Sequence, residues 1–280
     1  MIQKFRILAR KHVVIFSVIF AVLILAIQLT LTKNLLLGGE NPEKRIYGVE
    51  DIIVMLVPTA TVYLVAILTG LKSKIMPEMK NLGKGLLSGL PFILIGIYAA
   101  VSIILDVGIS EISFPGIFRI ITFIISMLLI GLLEELLCRG VILNMMLEKW
   151  GNTKKGILKS AILSSIIFGL AHLVTLFVYP HLLVGTLSQV LYASFVGFYF
   201  ACIYIRCKNL YSLVITHAFF DACSLLINIL YLPAMLEVIN PVDVSLIDGL
   251  STIILWIPFV LFGLLLIRKR MPNGGETESA

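Results

Sequence analysis

The sequence predicts an all-α, polytopic membrane protein with about eight transmembrane helices and both termini cytoplasmic. Three observations carry that expectation. Of 280 residues, 59% are hydrophobic and 14% charged, and the mean hydropathy is +1.06, which leaves too little polar surface for a soluble globule of this size. Apolar runs approach or exceed the roughly 20 helical residues that cross a bilayer. Lys and Arg then fall in alternate connecting segments, as membrane topology requires.

The runs follow in order. Val13 to Leu31 comes after a basic start, as in a secretory signal, but it is longer than a signal's apolar core and leads into Gln28-Leu29-Thr30-Leu31-Thr32 without a small-residue cleavage site. It is expected to be a retained first span. Ile52 to Leu71 and Gly85 to Leu105 are the second and third. Ile117 to Leu137 is interrupted only by Arg119 near its start and Glu134 and Glu135 near its end. Ser160 to Tyr179 and Leu182 to Ile205 form a tight hairpin about Pro180-His181, and Leu210 to Tyr231 and Leu250 to Ile267 complete the set. Three regions follow: 1–116 with three spans, 117–231 with four, and 232–280 with an outer loop, the last span and, after Arg270, a polar tail expected to be disordered.

Charge supports the same topology. On eight spans, 18 of the 22 Lys and Arg lie on one face: those around Lys4 to Lys11, Lys72 to Lys84, Arg139 to Lys159, Arg206 and Lys208, and Arg268 to Arg270. The opposite loops hold Glu40, Glu43, Glu50, Asp51, Asp106, Glu111, Glu237, Asp243 and Asp248. The net charge of +6 is therefore an inner rim facing anionic lipid, and no nucleic-acid partner is needed. Cys138, Cys202, Cys207 and Cys223 lack any C-x-x-C spacing and read as small buried hydrophobes, neither a disulfide framework nor a zinc knot.

Ionisable residues inside hydrocarbon cost roughly 2.5 kcal/mol or more each, so the few that this chain keeps in its spans are its functional clue. They form three stripes: Glu134, Glu135 and Arg139; Phe168 and His172; His217 and Asp221. Glu135 and Arg139 stand at i and i+4, where a carboxylate and a guanidinium meet on one helix face. Glu134 points about 100° away, which reserves it for different work and argues against one pocket for both glutamates. With inner ends near Arg139, Ser160 and Leu210, Glu134 and His217 are expected roughly 8 to 10 Å, and His172 roughly 18 Å, below the inner face. A site there opens towards the cytosol.

Such a set hydrolyses. A buried carboxylate can act as general base on a water, a neutral histidine can share the task, and a second histidine with an oxygen-bearing neighbour can polarise a carbonyl or stabilise an oxyanion. Alternatively, Glu134, His172, His217 and Asp221 form a donor set for a divalent metal, Zn²⁺ first, that would activate the water. Each residue alone has an ordinary structural reading. Two of only four histidines beside the three intramembrane acids favour function.

Taken in order, Glu134-Glu135-x-x-x-Arg139, Phe168-x-x-x-His172 and His217-x-x-x-Asp221 resemble the E-E-x-x-x-R, F-x-x-x-H and H-x-x-x-N/D motifs of the CAAX protease and bacteriocin-processing (CPBP/Abi) family of intramembrane proteases. The resemblance runs from Leu132 to Ser224. It implies a membrane endopeptidase in which Glu134 and His172 activate water, His217 and Asp221 line the water and oxyanion side, Glu135 and Arg139 organise the site, and Phe168 packs against the catalytic helices. Its partners would be membrane lipids and a peptide or protein substrate, lipidated or membrane-associated. Asp221 stands where the eukaryotic members use asparagine. A carboxylate there repels an oxyanion unless it is protonated or metal-bound, so bare water and metal stay open as alternatives. A non-enzymatic peptide-binding immunity or scaffold protein of the same fold is the second reading. An ion-coupled transporter is the third and weakest, because the polar groups occupy one half of the chain only.

Overall fold

The computed structural model describes residues 2–36, 47–76, 79–231 and 241–268. Glu40, Glu43, Glu237, Lys269, Arg270 and the tail lie outside the described residues. Among the described residues every regular element is helical.

The elements are α1 (Ile2–Lys11), α2 (Val13–Leu31, prolonged by a π turn at Thr32–Leu36), α3 (Val49–Leu68), the short α4 (Lys72–Ile75), α5 (Leu82–Val107), α6 (Ile117–Glu135), a π-helical segment (Leu136–Leu143), α7 (Asn144–Trp150), α8 (Lys154–Ala171), α9 (Thr175–Val178), α10 (Leu183–Cys207), α11 (Leu210–Ser224), α12 (Ile227–Leu230) and α13 (Leu246–Ile267). Seven helical stretches are long and apolar enough to span: Val13–Leu36, Val49–Leu68, Leu82–Val107, Ile117–Trp150, Lys154–Val178, Leu183–Cys207 and Leu246–Ile267.

The expected seventh span, Leu210 to Tyr231, is two helices. α11 has 15 residues, about 22 Å of rise against a hydrocarbon core of about 30 Å. The chain breaks at Leu225 and Leu226 before α12. The Ser113 amide donates to the Leu230 carbonyl at 2.9 Å, so α11 and α12 together carry the chain from the end of α10 to the face where α6 begins, and the break does not change which face each terminus takes.

α10 is the central post. Val196 to Ile205 are buried without interruption, and the helix packs against α8 on one side and α13 on the other. α11 lies between α5 and α6, drawn in by glycines. A Cβ added to Gly85 would lie 2.1 Å from the Ser212 hydroxyl oxygen, and one added to Gly131 would lie 3.0 Å from the Val214 carbonyl oxygen. Small residues allow this close approach in a membrane, where backbone proximity and dispersion replace the hydrophobic drive.

The fourth expected span does not end near Arg139. Its helix runs 34 residues to Trp150, about 51 Å, and Leu136–Leu143 is wound as a π-helix with all eight residues buried. The wide turn frees carbonyls, and Asn144 fills the gap: its side-chain amide donates to the Arg139 and Gly140 carbonyls and to the Tyr204 hydroxyl, at 2.8, 3.1 and 2.8 Å. Arg139 is 2% exposed, so it belongs to the interior and not to the basic rim. Glu134, fifteen positions before Lys149, accordingly lies about 20 Å along the helix from that end, deeper than the expected 8 to 10 Å.

Charged side chains knit the basic end. The Arg6 guanidinium donates to the Leu68 carbonyl at 2.7 Å and that of Arg10 to the Thr69 carbonyl at 3.1 Å, so α1 places cations where α3 exposes its last acceptors. Glu148 bridges Arg10 and Lys74 at 3.0 and 2.8 Å. At the other end Asp243 accepts from the Val184 and Gly185 amides at 2.9 and 2.8 Å and so caps α10. The four cysteines are free thiols, Cys223 half-buried and the others buried.

Candidate active site

His217 is the hub. α11 carries it into the interior between α5 and α6, and its two ring nitrogens face different acids. Nδ1 lies 2.9 Å from Glu135 Oε1. Nε2 lies 3.5 Å from Glu134 Oε2 and 3.7 Å from Asp221 Oδ2.

Glu135 sets the orientation. Its Oε1 also accepts from the Arg139 guanidinium at 2.9 Å, across the i, i+4 spacing that predicted the pair. A carboxylate can only accept, so Nδ1 carries the proton and Nε2 is presented to the acid pair. Oε2 of Glu135 is buried without a hydrogen-bond partner. Arg139 is fixed in turn by donation to the Gly197 carbonyl at 2.9 Å, and its guanidinium carbon lies 4.9 Å from the Phe168 ring centre and 5.5 Å from that of Phe200. Both rings also meet His217 edge to face, at 6.2 and 5.6 Å. Two aromatic walls therefore clamp a guanidinium, a carboxylate and an imidazole in one plane of contacts, where cation–π attraction strengthens with desolvation.

Glu134 and Asp221 are the accessible members. Their side chains are 32% and 20% exposed, against 0% for Glu135. The helical-face expectation that the two glutamates could not share a pocket is corrected here. An imidazole has nitrogens on opposite edges, and two glutamate stems about 100° apart reach one nitrogen each. The division of labour still holds, with Glu135 held by two donors and Glu134 open.

His172 stands apart. α8 ends at Ala171 and His172 opens a 3-10 turn; its Nδ1 lies 3.1 Å from the Phe168 carbonyl, and its ring meets that of Phe168 edge to face at 5.2 Å. The Phe168 ring touches both histidine rings, that of His172 at 5.2 Å and that of His217 at 6.2 Å. No hydrogen bond or ion pair joins His172 to Glu134, His217 or Asp221 among the described residues. Nor does any group of three or more His, Cys, Asp and Glu side chains stand in an arrangement that could hold a metal ion, among the described residues. As arranged, the four expected donors do not fit Zn²⁺, and the site is a pair of carboxylates facing an oriented imidazole.

Sequence reasoning missed Gly197 and Phe200. Gly197 acts through its carbonyl and through close packing, since an added Cβ would lie 2.9 Å from Phe168. Phe200 is one aromatic within a helix that is apolar throughout. Only Arg139, a cation with more donors than Glu135 can satisfy, signalled that further acceptors and rings must surround it.

One protein family matches this core. Residues 116–223 match the model described as type II CAAX prenyl endopeptidase Rce1-like, the family type to which the three motifs point. The match spans α6 to α11 and includes every residue of the cluster. No curated protein and no solved structure matches the chain. The match supports an intramembrane protease in general terms and, with seven span-length apolar helices, a multi-pass membrane protein acting on a peptide or protein.

Proposed function

We propose that the chain is an intramembrane endopeptidase with its catalytic core in 117–231, in which Glu134 takes a proton from water as the resulting hydroxide attacks a peptide carbonyl, and returns it to the leaving amine. His217 and Asp221, the latter protonated so that it donates, line the oxyanion side, Glu135 and Arg139 hold His217 in place, and His172, against the Phe168 ring, assists when the substrate draws the site together. Catalytic hydrogen bonds often tighten only with substrate bound, which accommodates the separation of His172. The orientation of His217 by the Glu135 and Arg139 pair is the observation that carries this reading: a buried ion pair aimed at an imidazole, with a second, open carboxylate on the other nitrogen. The substrate is a peptide with a lipid or an apolar segment, and the basic rim and both termini face the cytoplasm of a cell membrane.

The test is proteolysis of a peptide library by purified protein. Glu134→Gln should reduce turnover about 10²- to 10⁴-fold, the span of general base catalysis, with the melting temperature unchanged. Full activity in that variant sinks the proposal. The separation of His172 favours a second reading, a peptide-binding protein without turnover; under it Glu134→Gln would bind peptide as well as the wild type, and neither would cleave.

A further inference from the structure

A cavity separate from the acid pair, lined by neither Glu134 nor Asp221, lies on the basic face. Its volume is about 910 Å³, and it is bounded by α4, the start of α5, α7, the end of α10 and the start of α11. Five of its lining residues are cationic (Lys74, Lys80, Lys84, Arg206 and Lys208), and Glu148 is the single acid among the described residues. Glu148 is committed to Arg10 and Lys74. No acidic partner reaches the ammonium groups of Lys80 or Lys84 among the described residues; Glu78 lies outside them.

The floor is polar and built. Asn144 and Asn209 are each 2% exposed. Asn209 donates to the Lys80 carbonyl at 3.0 Å and accepts from the Ser212 amide at 2.8 Å, so the loop that carries Lys80 is tied to the start of α11. Asn81 donates to the Cys207 carbonyl at 3.1 Å, tying the start of α5 to the end of α10. The cations thus ring a fixed concavity and are not scattered along a rim.

We propose that this basin binds the phosphate-bearing headgroup of an anionic phospholipid. Helix ends at one face of a membrane protein lie at headgroup depth, and basic pockets between transmembrane helices are the sites that such headgroups take. The volume is within the range of small-ligand sites, and the lining favours a compact anion over an apolar side chain. Lysine also suits phosphate as a point charge.

The experiment uses the full chain in phosphatidylcholine nanodiscs, titrated with phosphatidylglycerol or with inorganic phosphate alone, reading retained lipid by native mass spectrometry and the melting temperature. Phosphatidylglycerol should be retained and should raise the melting temperature. K80A/K84A should weaken its binding about tenfold or more, given the contribution of each cation near an anionic surface. Arg206→Gln, a single exposed change, should weaken it in the same direction and serves where the double variant folds poorly. K154A/K155A removes the same charge elsewhere on this face and should leave retention intact. Equal loss in K154A/K155A, or undiminished retention in both basin variants, overturns the proposal. A response to inorganic phosphate without lipid retention overturns the lipid as its source.

Discussion

Arg139 is the residue whose removal separates architecture from chemistry. Its guanidinium spans Glu135, the Gly197 carbonyl and two aromatic faces, so Arg139→Leu strands a fully buried carboxylate. Breaking a buried pair in this way costs about 3 to 5 kcal/mol, and thermal unfolding in detergent should show it as a large drop in melting temperature. Glu134→Gln should show none, because its carboxyl touches one imidazole nitrogen at 3.5 Å and is otherwise open. The pairing of Glu135 with Arg139 was legible from four-residue spacing, and so was the freedom of Glu134. The reach of both glutamates to one His217 was not, because two carboxylates on adjacent positions of one helix converge only when a third element supplies a ring with two edges. His172 was expected beside Glu134; its contact with Phe168 instead accompanies the end of α8 at Ala171, which no local signal marks.

At the scale of elements, α11 positions the hub, and glycines position α11. Gly131→Val should push α11 from α6, because the new side chain meets the Val214 carbonyl and the Ala218 amide at 3.0 and 3.1 Å, and backbone yields little. Overpacking of this kind costs about 1 to 3 kcal/mol, and peptide turnover should fall with it. Gly83→Val, at a glycine with open space around it, is the matched control and should leave turnover unchanged. Asp243 makes a different kind of joint. Backbone amides of Gly185, Val184 and Val244 hold its carboxyl below the ordinary aspartate range. A group held low in the folded state contributes stability above its unfolded value and loses that contribution as pH falls through the folded one. The melting-temperature gap between wild type and Asp243→Ala should therefore be present at pH 7 and close below about pH 4; a gap that widens in acid would contradict the cap. The long helices were legible from apolar runs. α11 was read too long because burial in protein and burial in lipid select the same residues.

For the whole molecule, the asymmetry of charge makes a topological prediction. Single cysteines replacing Lys154 and Asp243, in a background lacking the native thiols, should label from opposite sides of sealed vesicles with an impermeant maleimide, Lys154 from the cytoplasmic side; labelling of both from one side would refute the arrangement. Composition made the membrane class legible, since no soluble core accommodates so little charge, and Lys and Arg placement supplies the expectation of faces that this labelling tests. The continuation of the fourth span to Trp150 was not legible, because Arg139 looks like a boundary in sequence and is instead an interior ion. The π-helical stretch there has a mechanical corollary. A π turn packs more residues into each revolution than an α turn, so rewinding Leu136–Leu143 as ordinary α-helix, with no residue lost, would turn everything downstream about the helix axis. Glu148 would then swing away from Lys74 and Arg10 while Glu134 stayed put. The wide winding thus phases the reactive half of the rod against the half that docks on Arg10 and Lys74.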